Sequence, residues 1–127
     1  MRSIVLIAAL GLATACGSSD DSDDSSTTTA DVKYSQVDPF LQSNCMTGCH
    51  VAGGSAAGTW VLTTTASTNH AAVTASSTRV NTSSPDASTL LTKPTLTVSH
   101  TGGKKFSKDD STYNNIKAWI TNGAKND

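Results

Sequence analysis

Residues 45–50 read Cys45-Met46-Thr47-Gly48-Cys49-His50, or CMTGCH, two thiols in CxxxC spacing with an imidazole directly after the second. Working outward, the preceding VDPFLQSNC sets Val37, Phe40, Leu41 and Cys45 at helical spacing, with Asp38 placed to cap the helix and Pro39 to open it. This predicts a helix whose C-terminal end delivers CMTGCH. Downstream, residues 52–84 (AGGSAAGTWVLTTTASTNHAAVTASSTRVNTSS) lack helical periodicity and read as a long ordered loop wrapped around something, because loops of that length without a ligand are uncommon. A short helix is expected from Ser84 and Pro85, carrying Leu90 and Leu91 and ending before Pro94. The stretch SKDDSTYNNIKAWITNG predicts the last helix, with Ser107 and Asp110 in capping-box spacing and Gly123 as C-terminal cap. Its apolar face is Tyr113, Ile116, Trp119 and Ile120. The fold class is therefore all-α, about three helices joined by long loops.

Composition narrows the possibilities further. The chain has 127 residues, 36% hydrophobic, 5% aromatic and 15% charged, with a net charge of -1, which allows one domain. All ten acidic residues are Asp, and 18 Ser with 20 Thr leave no charged heptad pattern for a coiled coil. The only apolar run, Ile4 to Leu12, is much shorter than the roughly 20 residues of a membrane-spanning helix. Arg2, then IVLIAALGLATA, then Cys16 resembles a bacterial lipoprotein signal peptide, although Ala13 stands where such signals more often have Leu. The division expected is a leader over 1–15, a lipidated Cys16 with a linker over 16–31, and a folded domain over 32–127. The linker GSSDDSDDSSTTTA has no large apolar side chain, and its clustered Asp residues repel one another, so it reads as a disordered tether. From Val32 onward five Asp face eight Lys and Arg, a net charge of +3. That is too weak and too poor in exposed aromatics for a nucleic-acid surface. Only 21 large apolar residues serve this domain, so a disulfide, a metal or a bound cofactor should supplement its core.

The chemistry concentrates at Cys45, Cys49 and His50. CxxxCH is one residue longer than the CxxCH signal for covalent haem attachment. In that chemistry two thiols add across the two vinyl groups of one porphyrin, and the histidine after the second thiol becomes the proximal iron ligand. The additional residue lengthens the loop between the thioether bonds without moving His50 relative to Cys49. With Cys16 lipidated, both remaining cysteines lie in the motif and no free thiol is left over. The competing readings are a Cys45–Cys49 disulfide in a non-redox lipoprotein module, and a zinc or copper site built on Cys45, Cys49, His50 and one more histidine.

The order and spacing of VDPFLQSNC, CHVAGGSAAGTWVL, SPDASTLLTKP, HTGGKKF and YNNIKAWITNGA resemble the small cytochrome c domains of exported bacterial proteins, particularly the planctomycete-type group. The resemblance covers nearly all of the folded region. It implies a small cytochrome c-like fold around one covalent haem, the last helix crossing the first. It also implies that Phe40, Trp60, Leu62, Leu90, Leu91 and Trp119 pack on the porphyrin. Past the leader the only methionine is Met46, inside the attachment loop on the proximal side, which disfavours His/Met ligation. The candidates for the sixth ligand are His100, in SHTGGKKF where related domains place their distal loop, and His70, in STNHAAV. An open or water-filled sixth position is the further alternative.

Two axial histidines would leave no position for peroxide or oxygen, and imply a low-potential electron carrier rather than an enzyme. An open position would permit a haem peroxidase or sensor. No acid/base pair or nucleophilic constellation competes. Lys104, Lys105 and Lys108 follow His100 and either form a landing patch for an acidic redox partner or a solvated loop. The expected setting is a bacterial membrane, reached through the lipid anchor and facing the periplasm or the cell surface. Gly17 after Cys16 points to the outer membrane.

Overall fold

The computed structural model describes residues 30–127. Among them every regular element is helical: α1 (Tyr34–Cys45), α2 (Ala66–Thr74), a 3₁₀ turn (Pro85–Ala87), α3 (Thr89–Thr92) and α4 (Ser111–Thr121). No strand occurs among the described residues, in keeping with the all-α expectation. The leader, Cys16 and almost all of the expected tether lie outside them. No helix of the described part is long and apolar enough to cross a membrane.

α1 begins four residues before the cap expected at Asp38, and Pro39 falls inside the helix. Asp38 is buried instead of capping, because its carboxylate is claimed elsewhere. It accepts hydrogen bonds from the Tyr34 hydroxyl (3.2 Å), Gln42 Nε2 (2.6 Å) and Asn69 Nδ2 (2.9 Å). The N-terminal amides of α1 find a remote partner. Tyr34 N–H donates to Asp127 Oδ1 (3.1 Å) and Ser35 N–H to the Asp127 carbonyl (3.2 Å). Asn122 Nδ2 adds a bond to the Ala30 carbonyl (3.1 Å), so the two ends of the described chain are tied together.

α2 corrects the expectation of an unbroken loop over 52–84. Its buried positions are Asn69 and Val73, one helical turn apart. A polar residue therefore occupies half of the inward face, and no apolar periodicity marks the helix. Asn69 is fully buried and its amide is fully used. Its Oδ1 accepts the Thr63 N–H (2.7 Å), and its Nδ2 donates to Asp38 and to the Thr63 carbonyl (2.8 Å).

The short helix predicted after Ser84 is present but interrupted. Ser88 takes an extended conformation between the 3₁₀ turn and α3, and its buried hydroxyl accepts the Asn81 N–H (2.9 Å). α4 buries Tyr113, Ile116, Trp119 and Ile120 as predicted. It ends in a Schellman motif, with Gly123 at φ +93, Gly123 N–H on the Ile120 carbonyl (3.0 Å) and Ala124 N–H on the Trp119 carbonyl (2.9 Å). Asp110 is the N-cap residue, and its carboxylate accepts the Ser107 N–H (2.6 Å).

α1 packs on both α4 and α2. Tyr34 meets Trp119 at 5.2 Å between ring centroids, and Val37, Leu41, Val73, Leu91, Ile116 and Ile120 fill the remainder, each with 1% exposure or less. Burying one such aliphatic side chain contributes about 1.5–3 kcal/mol. This core fixes the far end of α1, where Cys45 closes the helix.

Candidate functional site

α1 ends in a turn that carries the whole cysteine motif. Gly48 takes a left-handed φ of +70, a conformation glycine adopts at little cost. The turn is closed by Cys49 N–H on the Met46 carbonyl (3.2 Å) and His50 N–H on the Cys45 carbonyl (3.0 Å). The additional residue of CxxxC is thus absorbed locally. The next loop folds back on this turn through Ala56 N–H to the Cys49 carbonyl (3.1 Å). Gly54 allows that approach, since a Cβ there would stand 2.2 Å from the Cys49 oxygen.

A cleft of about 380 Å³ opens beside the turn, and Cys45, Cys49, His50 and His100 all line it. Its apolar wall includes Phe40, Leu41, Trp60, Leu90 and Pro94. This volume falls in the lower part of the roughly 300–1,000 Å³ range of small-molecule and cofactor sites. Both cysteines are free thiols. Burial is the main cause pushing the Cys45 pKa up to about 11, with Lys105 opposing and Cys49 reinforcing the rise.

The two cleft histidines share one hydrogen-bonding pattern. His50 Nδ1 lies 3.2 Å from the Trp60 carbonyl, and His100 Nδ1 lies 3.1 Å from the Gly103 carbonyl. A carbonyl can only accept, so each Nδ1 carries a proton, and in a neutral ring Nε2 then keeps its lone pair for another partner. Burial holds the His50 pKa below its ordinary value; the Trp60 bond opposes this, while His100, Arg79 and Lys93 add to it. Neutral imidazole is the form that binds metals. The ring also packs in a tilted contact on Trp60, at 4.2 Å between centroids and 36° between planes.

His70 is placed differently. Its Nε2 is spent on the Ala124 carbonyl at 2.7 Å, and its ring stands edge-on to Tyr34 (4.9 Å) and Trp119 (6.0 Å) in the core. It does not line the cleft, so of the two candidates for the sixth ligand only His100 is brought to the cysteine motif. The apolar residues expected around a porphyrin also divide. Phe40, Trp60 and Leu90 line the cleft, whereas Leu62, Leu91 and Trp119 are not among its lining residues and are buried in the core to 2% exposure or less.

Among the described residues no three His, Cys or Asp side chains converge as they would around a metal ion. The thiols and imidazoles border a space rather than surround a point. Apolar walls, two free thiols, two imidazoles with Nδ1 on carbonyls and the cation Lys93 are compatible with a flat apolar macrocycle bearing carboxylates. Arg79, Lys93 and Pro94 were not legible as site residues. They reach the cleft through tertiary folding, and no local motif marks them. Lys104, Lys105 and Lys108 are exposed, as are the apolar Leu96 and Val98 of the segment between α3 and His100. No protein-family model, curated protein or solved structure matches the chain.

Proposed function

We propose that this chain is a monohaem c-type cytochrome, a one-electron carrier with a small cytochrome c-like fold of the planctomycete type. Cys45 and Cys49 would hold the haem through thioether bonds, with His50 as proximal and His100 as distal iron ligand. The observation that carries this reading is the shared state of His50 and His100. Two segments 50 residues apart bring imidazoles to one cleft beside two free thiols, each with Nδ1 committed to a carbonyl and Nε2 left available.

The bound haem would supply the reversible ferric/ferrous couple. The chain does the rest. The Trp60 carbonyl fixes the tautomer and orientation of His50, and such a bond raises the basicity of the ligating nitrogen. The Gly103 carbonyl does the same for His100. Phe40, Leu90 and Pro94 give the cleft an apolar wall, and Lys93 at its border would meet a carboxylate of the porphyrin. With His50 and His100 both ligating the iron, the site would carry electrons rather than activate peroxide or oxygen. Exposed Lys104, Lys105 and Lys108 favour an acidic redox partner. Export and anchoring through a lipidated Cys16, with the domain facing the periplasm or the cell surface, complete the proposal.

The test is an absorption spectrum of protein exported from cells with cytochrome c maturation machinery, oxidised and reduced, followed by acid–acetone extraction and a pyridine haemochrome. A low-spin spectrum from haem that stays with the protein is expected, with His100→Ala turning it high-spin or opening the iron to carbon monoxide. A colourless product from cells that mature a control cytochrome overturns the reading.

A further inference from the structure

Arg79 belongs to none of the groups the haem chemistry requires, yet it occupies a junction in the fold. Its guanidinium donates through Nη1 to the carbonyls of Ala72 and Val73 near the end of α2. Through Nη2 it donates to the Thr59 carbonyl (3.2 Å). The same group lies over the Trp60 ring, 5.1 Å from its centroid. Trp60 in turn packs on His50 in a tilted contact at 4.2 Å and offers its carbonyl to His50 Nδ1 at 3.2 Å. A layer of guanidinium, indole and imidazole therefore connects α2 to the site. A cation over an indole face contributes about 0.5–2 kcal/mol, and the planar fork of Arg serves several carbonyls at once in a way that a Lys ammonium on a flexible stem does not.

On the other side of Trp60 the chain is held as firmly. Leu62 N–H donates to the His50 carbonyl (2.7 Å), and Thr63 is gripped at both its N–H and its carbonyl by Asn69 of α2. The five residues from Thr59 to Thr63 are thus clamped at both ends, by Arg79 and by Asn69. The carbonyl that orients His50 lies between the clamps.

We infer that Arg79 is a positioning residue for His50, acting through Thr59 and Trp60, so that α2 serves as the brace of the axial ligand. The inference rests on the haem reading above. Loosening the clamp weakens the His50 Nδ1–H bond to the Trp60 carbonyl, makes the imidazole less basic and stabilises the ferric state less. The reduction potential then rises, and the low-spin ferric electron paramagnetic resonance spectrum, which responds to the orientation of the axial imidazole planes, changes its g-values.

Two variants of the matured protein separate this role from a simple effect of charge. Arg79→Lys keeps the charge and loses the fork, so the expected result is an upward shift in potential with altered g-values. A purely electrostatic role for Arg79 gives the opposite pattern, with Arg79→Lys indistinguishable from the parent and Arg79→Met shifted downward, and that result overturns the inference. Unchanged g-values in both variants overturn it as well. Failure of the haem reading is recognised separately, because the parent protein is then colourless before any variant is made.

Discussion

Asn69→Ala should be the most damaging truncation in α2, worse than removal of the apolar side chain one turn away. The Asn69 amide is fully buried and makes three bonds of 2.7–2.9 Å, to Asp38, to the Thr63 N–H and to the Thr63 carbonyl. Truncation removes a bond to the buried Asp38 carboxylate, about 1.5–3 kcal/mol, and leaves two backbone groups in want of partners at about 1 kcal/mol or more each. The sum, about 3–5 kcal/mol, is a large fraction of the roughly 5–15 kcal/mol that stabilises a typical domain. Val73→Ala, at an equally buried position, deletes two methyl groups and should cost about 2–3 kcal/mol. The assay is urea unfolding of the matured protein followed by circular dichroism. With a slope of about 1–1.5 kcal/mol per molar for a chain this size, Asn69→Ala should lower the midpoint by about 3 M and Val73→Ala by about 2 M. A double-mutant cycle with Asp38→Ala should show coupling of about 1 kcal/mol or more. Additive losses, or a smaller loss for Asn69→Ala than for Val73→Ala, would refute the claim that a polar knot locks α2 to α1.

Gly102→Ala should disturb His100, the distal ligand in the proposed reading, by contact alone, since a Cβ there stands 2.8 Å from His100 Cε1 and 3.1 Å from its Nε2. The ring must retreat by roughly 0.7 Å to reach ordinary carbon contact, and the ferric absorption spectrum should gain a high-spin component; an unaltered spectrum contradicts this. His70→Ala should leave that spectrum unchanged while lowering the urea midpoint, because it loses a core bond to Ala124 and no contact with the cleft. Tyr113 is raised to about 12 by burial and by its bond to Asp86, so the stability it contributes is complete below the unfolded value near 10 and is lost as pH rises toward 12. Tyr113→Phe should flatten the urea midpoint over that interval. Asp86 is depressed, first by its bond to Lys117 and then by Tyr113, so its contribution is present above about pH 4 and is lost as pH falls through its lowered pKa. Asp86→Asn should flatten that acid limb, and an acid limb as steep as the parent's would contradict the assignment.

The elements that announced themselves in the sequence are those whose buried faces are apolar. The buried face and C-terminal end of α4 were legible because Tyr113, Ile116, Trp119 and Ile120 follow the helical period and Gly123 supplies the left-handed stop, whereas its start was expected at Ser107 and lies at Ser111, with Asp110 as the N-cap. α2 was invisible because Asn69 stands where the period calls for an apolar side chain, and its burial becomes intelligible only once Asp38 and Thr63 are seen beside it. The same knot explains the misplaced start of α1. Asp38-Pro39 is a good helix opening by local rules, but tertiary bonding claims Asp38 and the cap comes from Asp127, 93 residues from Tyr34. Cys45, Cys49 and His50 were legible because their geometry is local. His100 was reached by position in the chain. The side chains that orient the site, Trp60 and Arg79, carry roles set by stacking and by carbonyls that no one-dimensional pattern records.

The bonds between Asp127 and the first amides of α1 also fix how the domain faces its surroundings. Residue 30, held to Asn122, sits at the same pole as Tyr34, whereas Cys45 lies eleven residues along the helix axis, a rise of roughly 16 Å. α1 therefore holds the start of the described chain at one end and the cleft at the other. In the anchored carrier proposed above, attachment through residues before 30 would leave the cleft at the end of α1 remote from the attachment.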